Sequence, residues 1–212
     1  MTTAAGATTP AGATAPDVVI IASGGANIAS LQLALERQHV ASVVSADFAR
    51  IRDATHVILP GVGAAADAMA RLRLAGLDQL IPRLRQPVLG ICLGMQLLFE
   101  ASDEGSTPCL NIIPGCARRI CDAPDLPVPH IGWNTLKIER ECALLTGVTD
   151  HEYAYFVHSY ALPVSAATTA VTFYGETFSA CVEWRNFHGA QFHPERSAAL
   201  GARLLRNFLA CA

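Results

Sequence analysis

The chain predicts an α/β fold with a mostly parallel central sheet, helices on both faces and an added antiparallel portion. Three observations predict it. The first hundred residues alternate short apolar runs with helical periodicity, the pattern of βαβ units. From Ile112 to His193 the pattern changes to short β-runs separated by turns, which favours antiparallel pairing grafted onto that core. Hydrophobic residues make up 51% of the chain and charged ones 16%, as suits a sheet covered on both sides.

The elements follow in order. Residues 17–22 form a β-run, Gly24-Gly25 a turn, and Asn27 a helix N-cap. Ile28, Leu31 and Leu35 then recur at helical spacing. Residues 40–45 and 56–59 are strands. A helix over 64–75 turns Met69 and Leu72 inward and stops at Gly76. A second short helix spans 77–85, a strand 87–91, and a helix-prone stretch 95–100. The later β-runs are 112–113, 118–121, 135–138, 153–160, 169–174, 180–184 and 189–193. Ser197 caps a closing helix whose Leu200, Leu204, Leu205 and Phe208 pack on the sheet.

At 212 residues the chain suits one large domain, read here as 17–212, and is rather short for two. Residues 1–16 contain only Met, Thr, Ala, Gly and Pro, can bury almost nothing, and are expected to form a disordered tail. They lack the charge and apolar run of a signal or transit peptide. A net charge of −3 without a basic cluster argues against nucleic acid as a partner. No stretch approaches the apolar length of a membrane helix. Seven scattered cysteines, an odd number, point to a reduced, cytoplasmic protein. Cys109, Cys116 and Cys121 lack CxxC spacing and paired histidines, so they are read as buried small apolar side chains. No metal and no cofactor is expected.

The chemistry centres on Gly90-Ile91-Cys92-Leu93-Gly94, a strand, sharp turn and helix with a thiol at the turn. Flanking glycines let the backbone take a strained turn that presents a nucleophile at the carboxyl end of a strand. At a helix N-terminus, unpaired N–H groups and the helix dipole favour thiolate over thiol. Late in the chain stands Gln191-Phe192-His193-Pro194-Glu195. Proline biases His193 toward extended backbone, and residues two apart in an extended chain face one side. Glu195 can therefore orient His193, giving nucleophile, general base and orienting acid in Cys92, His193 and Glu195. The acid follows the histidine by two residues, unlike the α/β-hydrolase order. Pro60-Gly61-Val62-Gly63 and the N–H of Leu93 could hold a developing oxyanion, worth about 3–4 kcal/mol per donor.

These segments resemble class I glutamine amidotransferases, marked by G-x-C-x-G and a late H-P-E. Within that family the likeness narrows to the amidotransferase subunits of imidazole glycerol phosphate synthases. The narrower matches are Pro60-Gly61-Val62-Gly63, Met95-Gln96-Leu97-Leu98, Ile113-Pro114-Gly115, Pro129-His130-Ile131-Gly132-Trp133-Asn134, Tyr155-Phe156-Val157-His158-Ser159-Tyr160 and Arg196-Ser197. They span about 17–210. Ser23-Gly24-Gly25-Ala26-Asn27 departs from the usual Tyr-Gly-x-Gly-Asn, and Arg196 stands for a frequent lysine, keeping charge but not shape.

The resemblance implies a three-layer sandwich and a glutaminase. Cys92 attacks the glutamine side-chain amide, His193 protonates the departing ammonia, and the thioester is hydrolysed to glutamate. Ammonia passes to a (β/α)₈ cyclase partner, which uses it to form an imidazole ring in histidine biosynthesis. The glutamine pocket would be lined by Gly61, Val62, Gly63, Leu93, Gln96, His158, Ser159 and Tyr160. Asn27, Trp133, Asn134 and Arg196 would lie at the partner interface. Two other readings are an amidotransferase feeding a different synthase, such as anthranilate or guanylate formation, and a non-catalytic module that regulates a partner.

Overall fold

The computed structural model describes residues 16–23, 27–122 and 126–212. Apart from Pro16, the tail expected over 1–16 lies outside the described residues, as does the Gly24-Gly25 turn. Strands β1 (Val18–Ile21), β2 (Ser42–Ser45), β3 (His56–Gly61) and β4 (Val88–Cys92) alternate with helices α1 (Ile28–Glu36), α2 (Phe48–Asp53), α3 (Ala65–Leu74) and α4 (Leu77–Leu80). Helix α5 (Leu93–Leu97) follows β4 directly. After it come β5 (Phe99–Ser102), β6 (Thr107–Pro108), β7 (Ile113–Arg119), β8 (His130–Thr135), β9 (Lys137–Ile138), β10 (Tyr153–His158) and β11 (Tyr160–Ala161). Strands β12 (Thr168–Tyr174), β13 (Glu176–Trp184) and β14 (Phe187–Ala190) lead into the closing helix α6 (Ala198–Leu209).

The main sheet has eight strands in the order β2-β1-β3-β4-β14-β13-β12-β9. β2, β1, β3, β4 and β14 are mutually parallel, and β13, β12 and β9 extend them antiparallel. Alternation along β1 shows why three layers form. Val18 and Ile20 join a cluster with Leu31, Leu35, Leu204 and Phe208, from α1 and α6. Val19 and Ile21 join Ile51, Met69 and Leu72, from α2 and α3. Each such side chain contributes about 1.5–3 kcal/mol when removed from water, so neither face can be left bare. Two smaller sheets lie beside this core, the ribbon β10-β8 and the four-stranded β11-β7-β5-β6.

Several local expectations change. Helix α2 was not anticipated, although Asp47 caps it by accepting the Arg50 N–H at 2.7 Å. The helical stretch expected over 95–100 ends after Leu97, because Phe99–Ser102 pairs as β5 with β6 and β7. A single helical turn has little stability of its own, so the ladder decides the conformation there. The separate runs 112–113 and 118–121 are one strand, β7. Cys109 and Cys116 are only half-buried and Cys121 is exposed, which corrects their reading as core residues. Of the seven residues of β7 only Ile113 and Ala117 are buried, so Cys116 in that strand is only partly covered.

Candidate active site

Two parallel neighbours, β4 and β14, deliver the central groups to one edge. Their register pairs Gly90 with Gly189 and Ile91 with Ala190, so Cys92 and the Gln191–His193 segment emerge together. β3 ends on the other side of β4, where Gly61 pairs with Cys92. Cys92 itself sits at φ 54°, ψ −114°, a conformation that costs a non-glycine residue about 1–3 kcal/mol. Close backbone approach holds it there. A Cβ on Gly94 would overlap the Leu59 carbonyl oxygen, and one on Gly61 would lie 2.5 Å from the Gly94 nitrogen. The sharp strand-to-helix turn expected at 90–94 is thus enforced by β3 and α5 packing backbone to backbone.

His193 is held through its main chain. Its N–H donates to the Tyr155 carbonyl at 2.9 Å, and its carbonyl accepts the Ser197 hydroxyl at 2.7 Å. Nδ1 meets the Glu195 carboxylate at 2.8 Å. The route differs from the extended alternation expected, because Pro194–Arg196 is a turn of 3₁₀ helix that brings the carboxylate back. Glycine at 201 makes room for that turn, since a Cβ there would overlap the Pro194 carbonyl oxygen. Burial pushes the imidazole toward its neutral form, but the bonds to Cys92 and Glu195 outweigh this and raise its pKa to about 10.

Two expected caps do other work. Asn27 makes no side-chain cap to α1, and its amide stands 3.4 Å from His193 Nδ1. Ser197 makes none to α6, because its hydroxyl is engaged by His193 and by the Tyr155 N–H at 3.0 Å.

A cleft of about 260 Å³ opens over Cys92 and His193. Gly61, Val62, Gly63, Leu93, Gln96, His158, Ser159 and Tyr160 all line it, as do Asn27 and Arg196. Glu195 stands behind His193, with a side chain only 2% exposed. Trp133 and Asn134 are not in the cleft. Trp133 is 52% exposed on β8, where its ring meets Tyr155 edge-on, and Arg196 lies over the Tyr155 ring at 4.3 Å. Asn134 donates to the Phe173 carbonyl at 2.9 Å.

His158 is buried, and desolvation lowers its pKa to about 3; His130 beside it is lowered to about 4 for the same reason. Sequence reasoning missed Glu104, which lines the cleft and accepts the Ala65 N–H at 2.7 Å. A lone carboxylate in a polar turn carries no signal. It also gave Gln191 no role, although its amide stands 3.8 Å from the Cys92 sulfur. Among the described residues, no cluster of His, Cys, Asp and Glu could hold a metal ion, and no helix is long and apolar enough to cross a membrane.

A thiol on a backbone-enforced turn, with an imidazole and a carboxylate brought beside it at the head of an α/β sheet, marks a class, and comparison with known proteins gives it. The chain belongs to the glutamine amidotransferase class-I family, whose model matches residues 19–211. It is 53% identical over 193 residues to the imidazole glycerol phosphate synthase subunit HisH of Xanthomonas euvesicatoria pv. vesicatoria (strain 85-10), covering 91% of this chain and 96% of that one. The subunit of the same description from Xylella fastidiosa (strain 9a5c) is 51% identical with the same coverage. Among solved structures, a glutamine amidotransferase superposes with a TM-score of 0.71 at 18% identity, covering 91% of this chain and 97% of that one. PurLQS from Thermotoga maritima gives 0.68 at 17% identity, with coverage of 93% and 99%. These two likenesses concern the fold, a mostly parallel sheet between helical layers.

Proposed function

We propose that the chain is the glutaminase subunit of an imidazole glycerol phosphate synthase. One observation supports the mechanism above all: Cys92 and His193 line one cleft the size of an amino acid, and Glu195 meets His193 Nδ1 at 2.8 Å. The Cys92 sulfur attacks the side-chain carbonyl carbon of glutamine, and the carbonyl electron pair moves onto oxygen. The N–H of Leu93, in the first turn of α5, and the peptides of the Gly61-Val62-Gly63 loop receive that charge. The imidazolium of His193 gives its proton to the amide nitrogen as the C–N bond breaks, releasing ammonia and leaving a thioester. Water, deprotonated by the now neutral His193, cleaves the thioester to glutamate and restores Cys92. Glu195 keeps the Nδ1 proton in place and stabilises the imidazolium. Gln96, His158, Ser159 and Tyr160 form the wall against which glutamine is oriented.

Ammonia passes to a (β/α)₈ cyclase subunit in the cytoplasm, where it enters an imidazole ring. The docking face is assigned to Asn27, Trp133, Asn134 and Arg196, of which Asn27 and Arg196 line the cleft. Support comes from the exposed Ile131 and Trp133 beside a cleft that already includes Asn27 and Arg196. The working domain is 17–212. The decisive experiment is Cys92→Ser in the assembled complex, assaying glutamate and imidazole product together. Both should vanish with glutamine and the imidazole product should return with added ammonium salt. Wild-type glutamate release would overturn the proposal.

A further inference from the structure

Gln191 is wholly buried, and a buried amide must satisfy both its ends. Its orientation can be deduced from its neighbours. The Tyr160 carbonyl can only accept, so the Gln96 atom 2.8 Å from it is Nε2. The same nitrogen lies 3.0 Å from the side chain of Gln191, whose facing atom must then be the acceptor Oε1. The remaining end of Gln191, Nε2, is left pointing at the Cys92 sulfur, 3.8 Å away. The frame is braced from behind. His158 Nδ1 also donates to the Tyr160 carbonyl, at 2.8 Å, and leaves its Nε2 to accept from His130 Nδ1 at 3.2 Å.

We infer that Gln191 is a further catalytic residue, whose side-chain N–H donates to the Cys92 thiolate and holds it ready for attack. The sulfur otherwise faces His193 and the Val157 carbonyl, 3.6 Å away. That carbonyl is an acceptor, so it favours the thiol and opposes the anion. His193 alone would hold a thiolate from one side, and it must leave that role when it carries its proton to ammonia. Gln191 has no proton to lose, so its bond persists through attack and again when the thioester is cleaved and sulfur leaves as an anion. The other ionisable groups around the same cleft are His158, Tyr160, Glu104, Glu195 and Arg196. None of them supplies the directed N–H that the Gln96–Gln191 pair provides.

The inference rests on Cys92 being the nucleophile, and the test separates the two. The assembled complex is labelled with iodoacetamide across pH 5–10, and Cys92 alkylation is followed by mass spectrometry. The variant Gln191→Met keeps the volume and removes the donor. Its midpoint for Cys92 alkylation should rise by about one pH unit, the equivalent of a tenfold change. Its kcat/KM should fall about tenfold at pH 7, mostly in kcat, and recover as pH rises. Gln191→Glu, which replaces the donor with a carboxylate, should shift the midpoint further. If neither variant moves the midpoint while both remain folded and bound to the cyclase, the inference is wrong. If Cys92 in the wild type is not alkylated at all, the reading of the nucleophile fails instead.

Discussion

The Ser197 hydroxyl stands between Tyr155 and His193, accepting the N–H of one at 3.0 Å and donating to the carbonyl of the other at 2.7 Å. His193 in turn donates its own N–H to the Tyr155 carbonyl. Strand β10 and His193 are thereby joined in a closed ring of three hydrogen bonds, and the helix cap that a serine would ordinarily make is given up. Tyr155 is also the cross-strand partner of exposed Trp133. The main chain of His193 is thus tied to the ribbon whose outer face is the proposed docking surface.

Removing that hydroxyl leaves the part-buried Tyr155 N–H without its partner and the His193 carbonyl with the Arg196 N–H alone, at 3.0 Å. Ser197→Ala should destabilise the protein by about 1–3 kcal/mol and lower glutaminase kcat about tenfold with little change in KM. Urea titration and steady-state kinetics on the complex measure both effects. Unchanged kcat in a destabilised protein would limit the ring to a structural role.

Acid should destabilise the protein well before its carboxylates titrate. His130 and His158 hold their neutral forms down to about pH 4 and 3, whereas an unfolded chain binds those protons near 6.5. Their contribution is therefore complete above about pH 6.5 and is lost as pH falls toward 4, at up to about 1.4 kcal/mol per pH unit for each group. His193 runs the other way. With its pKa raised to about 10, it favours the folded state below about 6.5 and loses that contribution as pH climbs through 10. Urea midpoints at pH 4.5, 6.5 and 9.5 should peak in the middle. A flat profile between 4.5 and 6.5 would contradict the buried neutral histidine pair.

The isolated chain should be a poor glutaminase. Gly63 sits at φ +87° with nothing within 4 Å of where a Cβ would stand, so the loop has room to rotate its peptides away from the oxyanion. A docked cyclase would shift that population. Glutamate release should rise at least about tenfold on adding the partner, a bias of about 1.4 kcal/mol. Equal rates with and without it would exclude loop control.

Trp133→Ala should weaken association with the cyclase without harming the fold. Half of the ring is exposed, so its removal opens no interior cavity, whereas a central interface tryptophan is commonly worth about 2 kcal/mol or more. A Kd raised about thirtyfold, with unchanged thermal unfolding of the free chain, is the expected pair of results. Unaltered affinity would move the interface elsewhere.

The sequence was most informative where one local pattern had one physical cause. Unbroken apolar runs gave β1, β3 and β4, and 3.6-residue spacing gave α1, α3 and α6. Glycines flanking Cys92 marked the sharp turn because only a bare backbone permits the contact with Leu59. It was least informative where long-range pairing decides. Phe99 and Glu100 read as helix, yet a ladder with Ile113 and its neighbours draws them into β5. At the site, Cys92, His193 and Glu195 could be singled out from their motifs. The tasks of Asn27, Gln191 and Ser197 could not, because each depends on a partner that folding brings from elsewhere. Glu104 was invisible for the same reason.

The elbow at residue 92 has a consequence for reading its variants. Main-chain atoms of Leu59, Gly61 and Gly94 meet there with no intervening side chains, so the direction of the bond leaving Cα is set by the backbone alone. A serine installed at that point would carry its oxygen to nearly the same spot as the sulfur it replaces. Silence from such a protein would then speak to the reactivity of oxygen against sulfur, undiluted by misplacement.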